Sequence, residues 1–448
     1  MIDIEKLSLN VEEDTLKKFR KIVLSALESA LESVDPYKSV KNSIKKENNT
    51  ITIEGVSFKL DDFSHIYVIA FGKASIKMFK AISEILPITE GIVVSNFEEA
   101  LNFPNVKFVK GGHPIPDQNS IKAGFEILDL ASKTTSSDLT IVLISGGGSA
   151  LVESPLIPLE RLQELTKKLM KSGADINELN AVRKHLSRIK GGKLLKNLKG
   201  KVISLIISDV IFDPLDVIAS GPTYFDSTTF EDAIAIIKKY KLEKEFEDVL
   251  KIFENGVRGE IEETLKVGEK LDCEFVNRII ASNYIATKSM LSYLESIGLQ
   301  TFYLGPAIQG VASSVSKTIA SIGKSIDLGY IDLKKPVTVV FGGETTVEVK
   351  GNGIGGRNTE FTLYMAKYLD GTNFVFASIG TDGIDGVSPA AGAIADSSTL
   401  KKAHRLGLDI NKFLENNDSY TFFENIGDAI ITGPTGTNVA DVAVLLIY

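Results

Sequence analysis

A single cysteine, Cys273, occurs among the 448 residues, which excludes an internal disulfide and gives no thiolate cluster for zinc. Histidine is nearly as scarce. His65, His113, His185 and His404 are scattered along the chain and show no H-E-x-x-H or similar ligand spacing. No stretch reaches the roughly 18 apolar residues of a membrane span, and no early apolar run resembles a signal peptide. Positive charge is in deficit, with 50 Lys and Arg against 58 Asp and Glu and a net charge of −8. Broad nucleic-acid binding wants a basic face, so it is not expected. What remains is a cytoplasmic protein with neither nucleic acid nor membrane as partner. Its 44% hydrophobic and 24% charged residues make an ordinary globular balance, and its length suits two or three domains.

The most informative stretch is Ile141-Val-Leu-Ile-Ser145-Gly-Gly-Gly-Ser149-Ala150. Four apolar residues read as a strand buried on both faces, and a helix can begin at Ala150. Glycine tolerates positive φ and lets a ligand approach the backbone, although each use costs about 1 kcal/mol in entropy. A strand, a glycine turn and a helix start together make an anion cradle, and phosphate is the natural anion. A tight turn with no ligand is the alternative. A nucleophile elbow fails because Leu151 stands where G-x-S-x-G needs glycine. A Walker A loop fails for want of a lysine.

Along the chain, apolar residues at three and four predict an amphipathic helix from Glu12 to about Val34, and Glu54-Gly55 centres a small hairpin from Asn49 to Leu60. Lys45-Lys46-Glu47 before it reads as a solvated charge run. Strands are then expected at His65–Ala70, Gly91–Ser95, Val106–Val109, from Thr140, and at Val202–Ile207, with helices between them. That alternation implies a mainly parallel sheet covered by helices on both faces. The composition turns charged between about Lys238 and Lys270, which sets a domain boundary near Tyr240. Phe275–Ala281, Gln300–Leu304, Val337–Phe341 and Phe374–Ser378 then supply a second α/β domain. The last strand, Ala440–Ile447, is left unassigned between the two.

Ligands of open α/β sheets bind at the carboxyl ends of strands, and there the polar residues are dense. Lys73 stands at a helix start, where it opposes the macrodipole and suits an anion; a surface lysine near a turn is the plain alternative. Asp209 ends an apolar strand and suits a magnesium ligand, or else a helix cap. From Arg183 to Lys193 six basic or potentially basic groups fall within eleven positions. Apolar Val182, Leu186 and Ile189 make this a helix with a cationic side, facing water or a small anionic substrate. Gly351, Gly353 and Gly356 satisfy G-x-G-x-x-G, but the ribose acid expected about 20 residues on is missing from the right element. Arg357, directly after these glycines, reads as a fixed cation for a carboxylate or phosphoryl group. Asp382 and Asp385 lie in another strand-end glycine loop. Asp382 is the second metal candidate.

Taken in order, Phe71-Gly-Lys-Ala-Ser75, Gly111-Gly-His-Pro114, Ser145-Gly-Gly-Gly-Ser-Ala150, Val182-Arg-Lys-His-Leu-Ser187, Ile207-Ser-Asp-Val210, Gly342-Gly-Glu-Thr345, Gly355-Gly-Arg-Asn358, Gly380-Thr-Asp-Gly383 and Thr432-Gly-Pro-Thr-Gly-Thr-Asn438 resemble the class II glycerate kinases. The resemblance implies two α/β domains: a Rossmann-like N-terminal one with a mainly parallel sheet (1–240) and a C-terminal one (241–448), MOFRL-like from about 335. It implies an active site in the inter-domain cleft and phosphorylation of D-glycerate by ATP with Mg²⁺, to 2-phosphoglycerate. Lys73 and Arg357 match the family's catalytic lysine and arginine. Ser145, Gly146, Gly147, Gly148 and Ser149 are then expected to hold the nucleotide, Arg183, Lys190 and Asn358 the substrate, and Asp209 and Asp382 the metal. Some relatives carry an older hydroxypyruvate reductase label. A nicotinamide-dependent reductase and a non-catalytic nucleotide or sugar-phosphate sensor therefore stay open as alternatives, as does a homodimer.

Overall fold

The strand Leu139–Ile144 is buried at every position and lies inside a six-stranded sheet. The computed structural model describes residues 1–98 and 103–448 and divides into two units. One is Pro36–Ile280; the other joins Met1–Asp35 to Ala281–Tyr448.

In the Pro36–Ile280 unit the sheet runs Val106–Lys110, Glu90–Ser95, Ile66–Phe71, Leu139–Ile144, Gly200–Ile207, Cys273–Ala281. The first five of these pair in parallel. Counted along the chain, the sheet's order is 3-2-1-4-5-6. The order reverses between Ile66–Phe71 and Leu139–Ile144, and ligands of such sheets bind at the carboxyl ends of strands where the order reverses. Both are buried at all six positions and almost wholly apolar, Thr140 being the polar exception, as expected of strands covered on both faces.

The boundary expected near Tyr240 falls inside this unit. The helix Glu247–Val257 is charged outside, but its Val249 and Phe253 are buried in one cluster with Phe230 and Ile237. Cys273–Ala281 completes the sheet. Charge in this stretch marks the solvent face of an amphipathic helix, not a linker. The expected hairpin is present as Thr50–Ile53 and Val56–Lys59. Ile44–Glu47, read from sequence as mere solvated charge, is a third strand paired antiparallel to Thr50–Ile53.

The other unit centres on Asp441–Ile447, antiparallel to Val337–Thr346 on one side and to Phe374–Gly380 on the other. Its place in the middle of that sheet settles where the last strand belongs. Gln300–Val311 forms one edge of the sheet. The helix Asp14–Ser33 joins this unit although it begins the chain. Leu16, Phe19, Val23, Leu27 and Ala30 are buried on one of its faces. Among the described residues no helix is long and apolar enough to cross a membrane.

That helix also buries Arg20 completely. Its guanidinium pairs with Asp396 at 2.9 Å and Asp428 at 2.5 Å, and NH1 donates to the Leu7 carbonyl at 2.8 Å. Lys402 and Asn10 also reach Asp428, at 3.2 and 2.9 Å. Removing one member of a buried charge set strands the others and costs about 3–5 kcal/mol. Arg20→Met is expected to lower unfolding free energy by about that amount in urea titration; a loss under about 1 kcal/mol would show that the set is not anchoring the helix.

Candidate functional site

Two strand ends and their turns meet at the reversal of the parallel sheet. The Ser145 N–H donates to the Phe71 carbonyl at 3.1 Å, and the Lys73 N–H donates to the Gly146 carbonyl at 2.9 Å. The Ala74 N–H donates to the Ser145 hydroxyl at 3.0 Å. Ser145 is buried, so its hydroxyl ties the two turns together. Gly147 adopts φ 84°, a left-handed conformation suited to glycine.

The glycines are enclosed by polar side chains, two of them charged. A Cβ on Gly146 would lie 2.1 Å from the Asp209 Oδ2, and one on Gly147 would lie 3.0 Å from the His113 ring and 3.3 Å from Lys73 Cγ. Lys73 is half-buried, and no carboxylate engages its ammonium among the described residues. Burial and the nearby Lys73 hold the His113 imidazole below its ordinary pKa, so it is neutral at neutral pH. The helix after the turn, Gly148–Leu151, is a single turn long. The sequence leads one to expect a helix dipole here, but one turn supplies little of it. The positive charge at this crevice therefore comes from side chains.

Ser149 and Ser220 share a hydrogen bond at 2.9 Å, and Ser220 donates onward to Asn180 Oδ1 at 3.1 Å. Ala219 and Ser220 both carry positive φ, 50° and 64°, and the Ala219 methyl would crowd any Cβ on Gly148 at 2.9 Å. Strain of this kind persists only where neighbours over-determine it, and it clusters at functional sites. Arg183 reaches the Ser149 carbonyl at 3.3 Å. Burial lowers its pKa, opposed by the charge of Glu153.

The helix ends at His185, short of the cationic helix expected, and of the remaining basic residues Arg188 stays exposed while the others turn inward. Lys190 is buried against Glu153 and donates to the Val152 carbonyl at 3.2 Å. Lys184 pairs with buried Asp226 at 3.1 Å. Lys193 donates to the Ser187 carbonyl at 3.0 Å, and burial lowers its pKa to about 8. His185 lies between the Ala181 carbonyl at 2.7 Å and Glu263 at 2.8 Å. Of this run, Arg183 alone also borders the glycine turn. The expectation that the run presents a cationic side to water or substrate is thus corrected for Lys184, His185, Lys190 and Lys193, which are buried, with Asp226, Glu263 and Glu153 as distant partners and the Ala181 and Ser187 carbonyls as near ones.

In the other unit Arg357 opens the helix Arg357–Tyr368. Its Nε and NH2 grip Asp441 at 2.6 and 3.0 Å, and NH1 meets Glu344 at 2.8 Å. Burial lowers the Arg357 pKa, but Asp441 and Glu344 more than offset it, so the guanidinium stays firmly charged. Burial pushes Asp441 up to about 6 despite Arg357. Asn358 is buried, with its amide donating to Asp441 at 3.0 Å and its oxygen accepting from Ser378 at 2.5 Å. Asp382 accepts from the Ile384 N–H at 3.1 Å, as a turn acid does.

The G-x-G-x-x-G stretch holds its own chain. Asp385 accepts from the N–H groups of Asn358 and Thr359, both at 2.8 Å, and so fills the helix start with a carboxylate. Cβ atoms on Gly351 and Gly356 would strike the Asn416 and Asp385 backbones at 2.4 Å, and one on Gly353 would strike Asp418 at 2.3 Å. A dinucleotide has no room at these glycines.

Sequence reasoning did not single out Asp441, Glu344, Ser220 or Asn180 for a role. Asp441 carried one usable signal: it is an acid at the head of an otherwise apolar strand. Among the described residues no three His, Cys, Asp or Glu side chains are grouped to hold a metal. Magnesium takes one or two carboxylates and completes its shell with water and substrate phosphates. Asp209 beside the glycine turn fits that mode.

Known proteins resemble this chain along nearly its whole length. A family described as a domain of unknown function, DUF4147, matches residues 22–254, and the MOFRL family matches residues 337–441. The chain is 40% identical to a glycerate 2-kinase of Pyrococcus horikoshii, covering 96% of this chain and 97% of that one. It is 37% identical to a D-glycerate 2-kinase of Thermotoga maritima over 96% and 99% of the two chains. The crystal structure of a Thermotoga maritima glycerate kinase superposes with a TM-score of 0.85 at 37% identity, covering 96% of this chain and all of that one.

The turn geometry makes a direct prediction. Gly146→Ala must displace the Asp209 carboxylate, so binding of a nucleoside triphosphate should weaken about tenfold or more, equivalent to about 1.4 kcal/mol. Gly173→Ala, at a left-handed glycine with open space around it, should leave that affinity unchanged. Titration calorimetry on both variants decides it; equal affinities would mean that Asp209 and the turn are not part of the binding site.

Proposed function

This chain belongs to the glycerate kinase family, and from that membership we propose that it transfers the γ-phosphoryl group of ATP to D-glycerate, forming 2-phosphoglycerate and ADP. The observation that carries this reading is the glycine turn at the reversal of the parallel sheet, bordered by Lys73 and His113 at Gly147 and by the Asp209 carboxylate at Gly146. Phosphoryl transfer asks a protein mostly for positioning and charge stabilisation. We assign the nucleotide phosphates to the 145–149 turn. Lys73 is a mobile point charge beside that turn, whereas Arg357 is a planar fork held by Asp441 and Glu344. Both suit the transferring group, where negative charge is redistributed. Arg183 suits the anionic substrate. Lys190 and Asn358, whose polar atoms are engaged within the protein, act by positioning.

Asp209 would hold Mg²⁺ together with the nucleotide phosphates, and the ion would supply neutralisation of phosphate charge. Asp382 is the weaker metal ligand of the two, since its carboxylate already closes its own turn. A cytoplasmic location accords with these substrates. A reductase would need a nicotinamide dinucleotide on the 351–356 glycines, where Asp385, Asn416 and Asp418 already stand. A sensor would bind nucleotide without turnover, and the same assay distinguishes it.

Purified protein with ATP, Mg²⁺ and D-glycerate should release ADP and form 2-phosphoglycerate with no dependence on NAD(P)H. Consumption of NAD(P)H with hydroxypyruvate and no ADP release would replace the kinase with a reductase. Lys73→Ala and Arg357→Ala should each lower kcat on the order of a hundredfold or more and change ATP affinity far less, because their charge matters most in the transition state. If both act on one group, the double variant loses less than the product of the singles. Near-normal kcat in either single variant removes that residue from the chemistry.

The Arg357–Asp441 pair also sets a pH dependence. Asp441 ionises at about 6, so above that pH its carboxylate holds Arg357, and below it the protonated acid loosens its grip. An acid limb in kcat near pH 6 is expected in the native chain and absent in Asp441→Asn. An unchanged limb in the variant would assign it to another group.

A further inference from the structure

Beside the glycine turn, within the Pro36–Ile280 unit, lies a cavity of about 890 Å³ that the reading above leaves unused. Its walls come from the helices Leu159–Lys171 and Ile176–His185 and from the 114–116 segment. Its exposed area is mainly apolar, from Leu162, Met170, Ile176 and Leu179, while Glu153, Glu160 and Glu164 and basic side chains also border it, beside Gln163 and Thr166. Ile115, Met170 and Ile176 are 63%, 61% and 55% exposed. Three large apolar side chains around one hollow mark a binding surface more than a chance of packing.

Arg183 joins this hollow to the turn. It lines the cavity, and its guanidinium also donates to the Ser149 carbonyl at 3.3 Å. A phosphate chain on the 145–149 turn would therefore lie within one side chain's length of the cavity. Glycerate, three carbons and an anionic carboxylate, matches neither the volume nor the apolar walls. A flat aromatic base attached to a sugar matches both: ligand sites of this size are mostly apolar, with a few polar groups to fix orientation. Arg183, assigned above to the anionic substrate, marks how near the turn and the cavity lie to each other.

We propose that this cavity seats the purine and ribose of the nucleotide whose phosphates lie on the 145–149 turn. The proposal rests on the assignment of those phosphates to the turn, and so deepens the kinase reading by naming where donor specificity resides. Thr166 is half-buried and Met170 exposed, on the helix that walls the cavity; Ile176 stands at the start of the other helix.

The test compares ATP with inorganic tripolyphosphate, which carries the phosphates without the base. Thr166→Trp fills the cavity, and Ile176→Asp places a charge on its opposite wall. Each should raise the calorimetric Kd for ATP at least tenfold while leaving the Kd for tripolyphosphate and the thermal midpoint unchanged. Two variants on separate helices guard against the failure of one to fold. An ATP Kd within twofold of the native value in both variants overturns the proposal and leaves the hollow to another occupant, such as a second copy of the chain. Parallel weakening of ATP and tripolyphosphate overturns it too, because the variants would then act through the turn. If the native chain binds ATP in this base-dependent way yet does not phosphorylate glycerate, the substrate assignment fails and the base site stands.

Discussion

At the reversal of the parallel sheet, the backbone of Gly72 lies so close to Ser145 that a Cβ there would fall 2.2 Å from its Oγ. That approach brings the turns after Ile66–Phe71 and Leu139–Ile144 into one hydrogen-bonded pair, through Lys73 to Gly146 and Ala74 to Ser145. It leaves no space for side chains on the inner side. The groups that remain, Lys73, Asp209, His113 and Arg183, surround the turn from outside. The sheet order fixes where the crevice lies, and the glycines fix how near a ligand can come. With a helix of one turn behind them, the charge must be supplied by these side chains.

The helix Ile176–His185 and the residues after it show how an ion-rich sequence is spent on structure. Lys184, His185, Lys190 and Lys193 each meet a carboxylate or carbonyl within the unit. A buried cation without such a partner would be strongly destabilising. These pairs fix the helix that carries Asn180 and Arg183, and thereby the geometry around Ser149 and Ser220. Their contribution to function is indirect: they hold one arginine at the edge of the phosphate turn and at the mouth of a cavity.

What could be read from the sequence was local. Apolar runs ending in Ser-Gly-Gly-Gly-Ser or Ser-Asp announce strand ends and turns, because strand burial and glycine geometry are properties of neighbours in the chain. The long N-terminal helix and the hairpin were legible for the same reason. Pairing across distance was not. Arg20 finds Asp396 and Asp428, Lys190 finds Glu153, and Arg357 finds Asp441, all through tertiary contact. The position near Tyr240 lies inside one compact unit for a similar reason, since the apolar face of Glu247–Val257 is intelligible only beside Phe230 and Ile237.

The two glycine-rich regions each lie between a strand and a helix and have opposite uses in the fold. Around Gly146 and Gly147 the nearest foreign atoms are tips of Asp209, His113 and Lys73. Such groups can rotate toward a ligand, donate to it or hold its counter-ion. Around Gly351 and Gly356 the nearest atoms are backbone of 416 and 385, and the N–H groups at the helix start are taken by Asp385. Backbone cannot withdraw without undoing the loop that carries it, and a carboxylate at a helix start repels a second anion. Glycine spacing alone therefore says only that something approaches closely. What approaches is decided by the rest of the fold: at the first turn it leaves charged side chains facing an open crevice, and at the second it packs the chain against itself to fix Arg357.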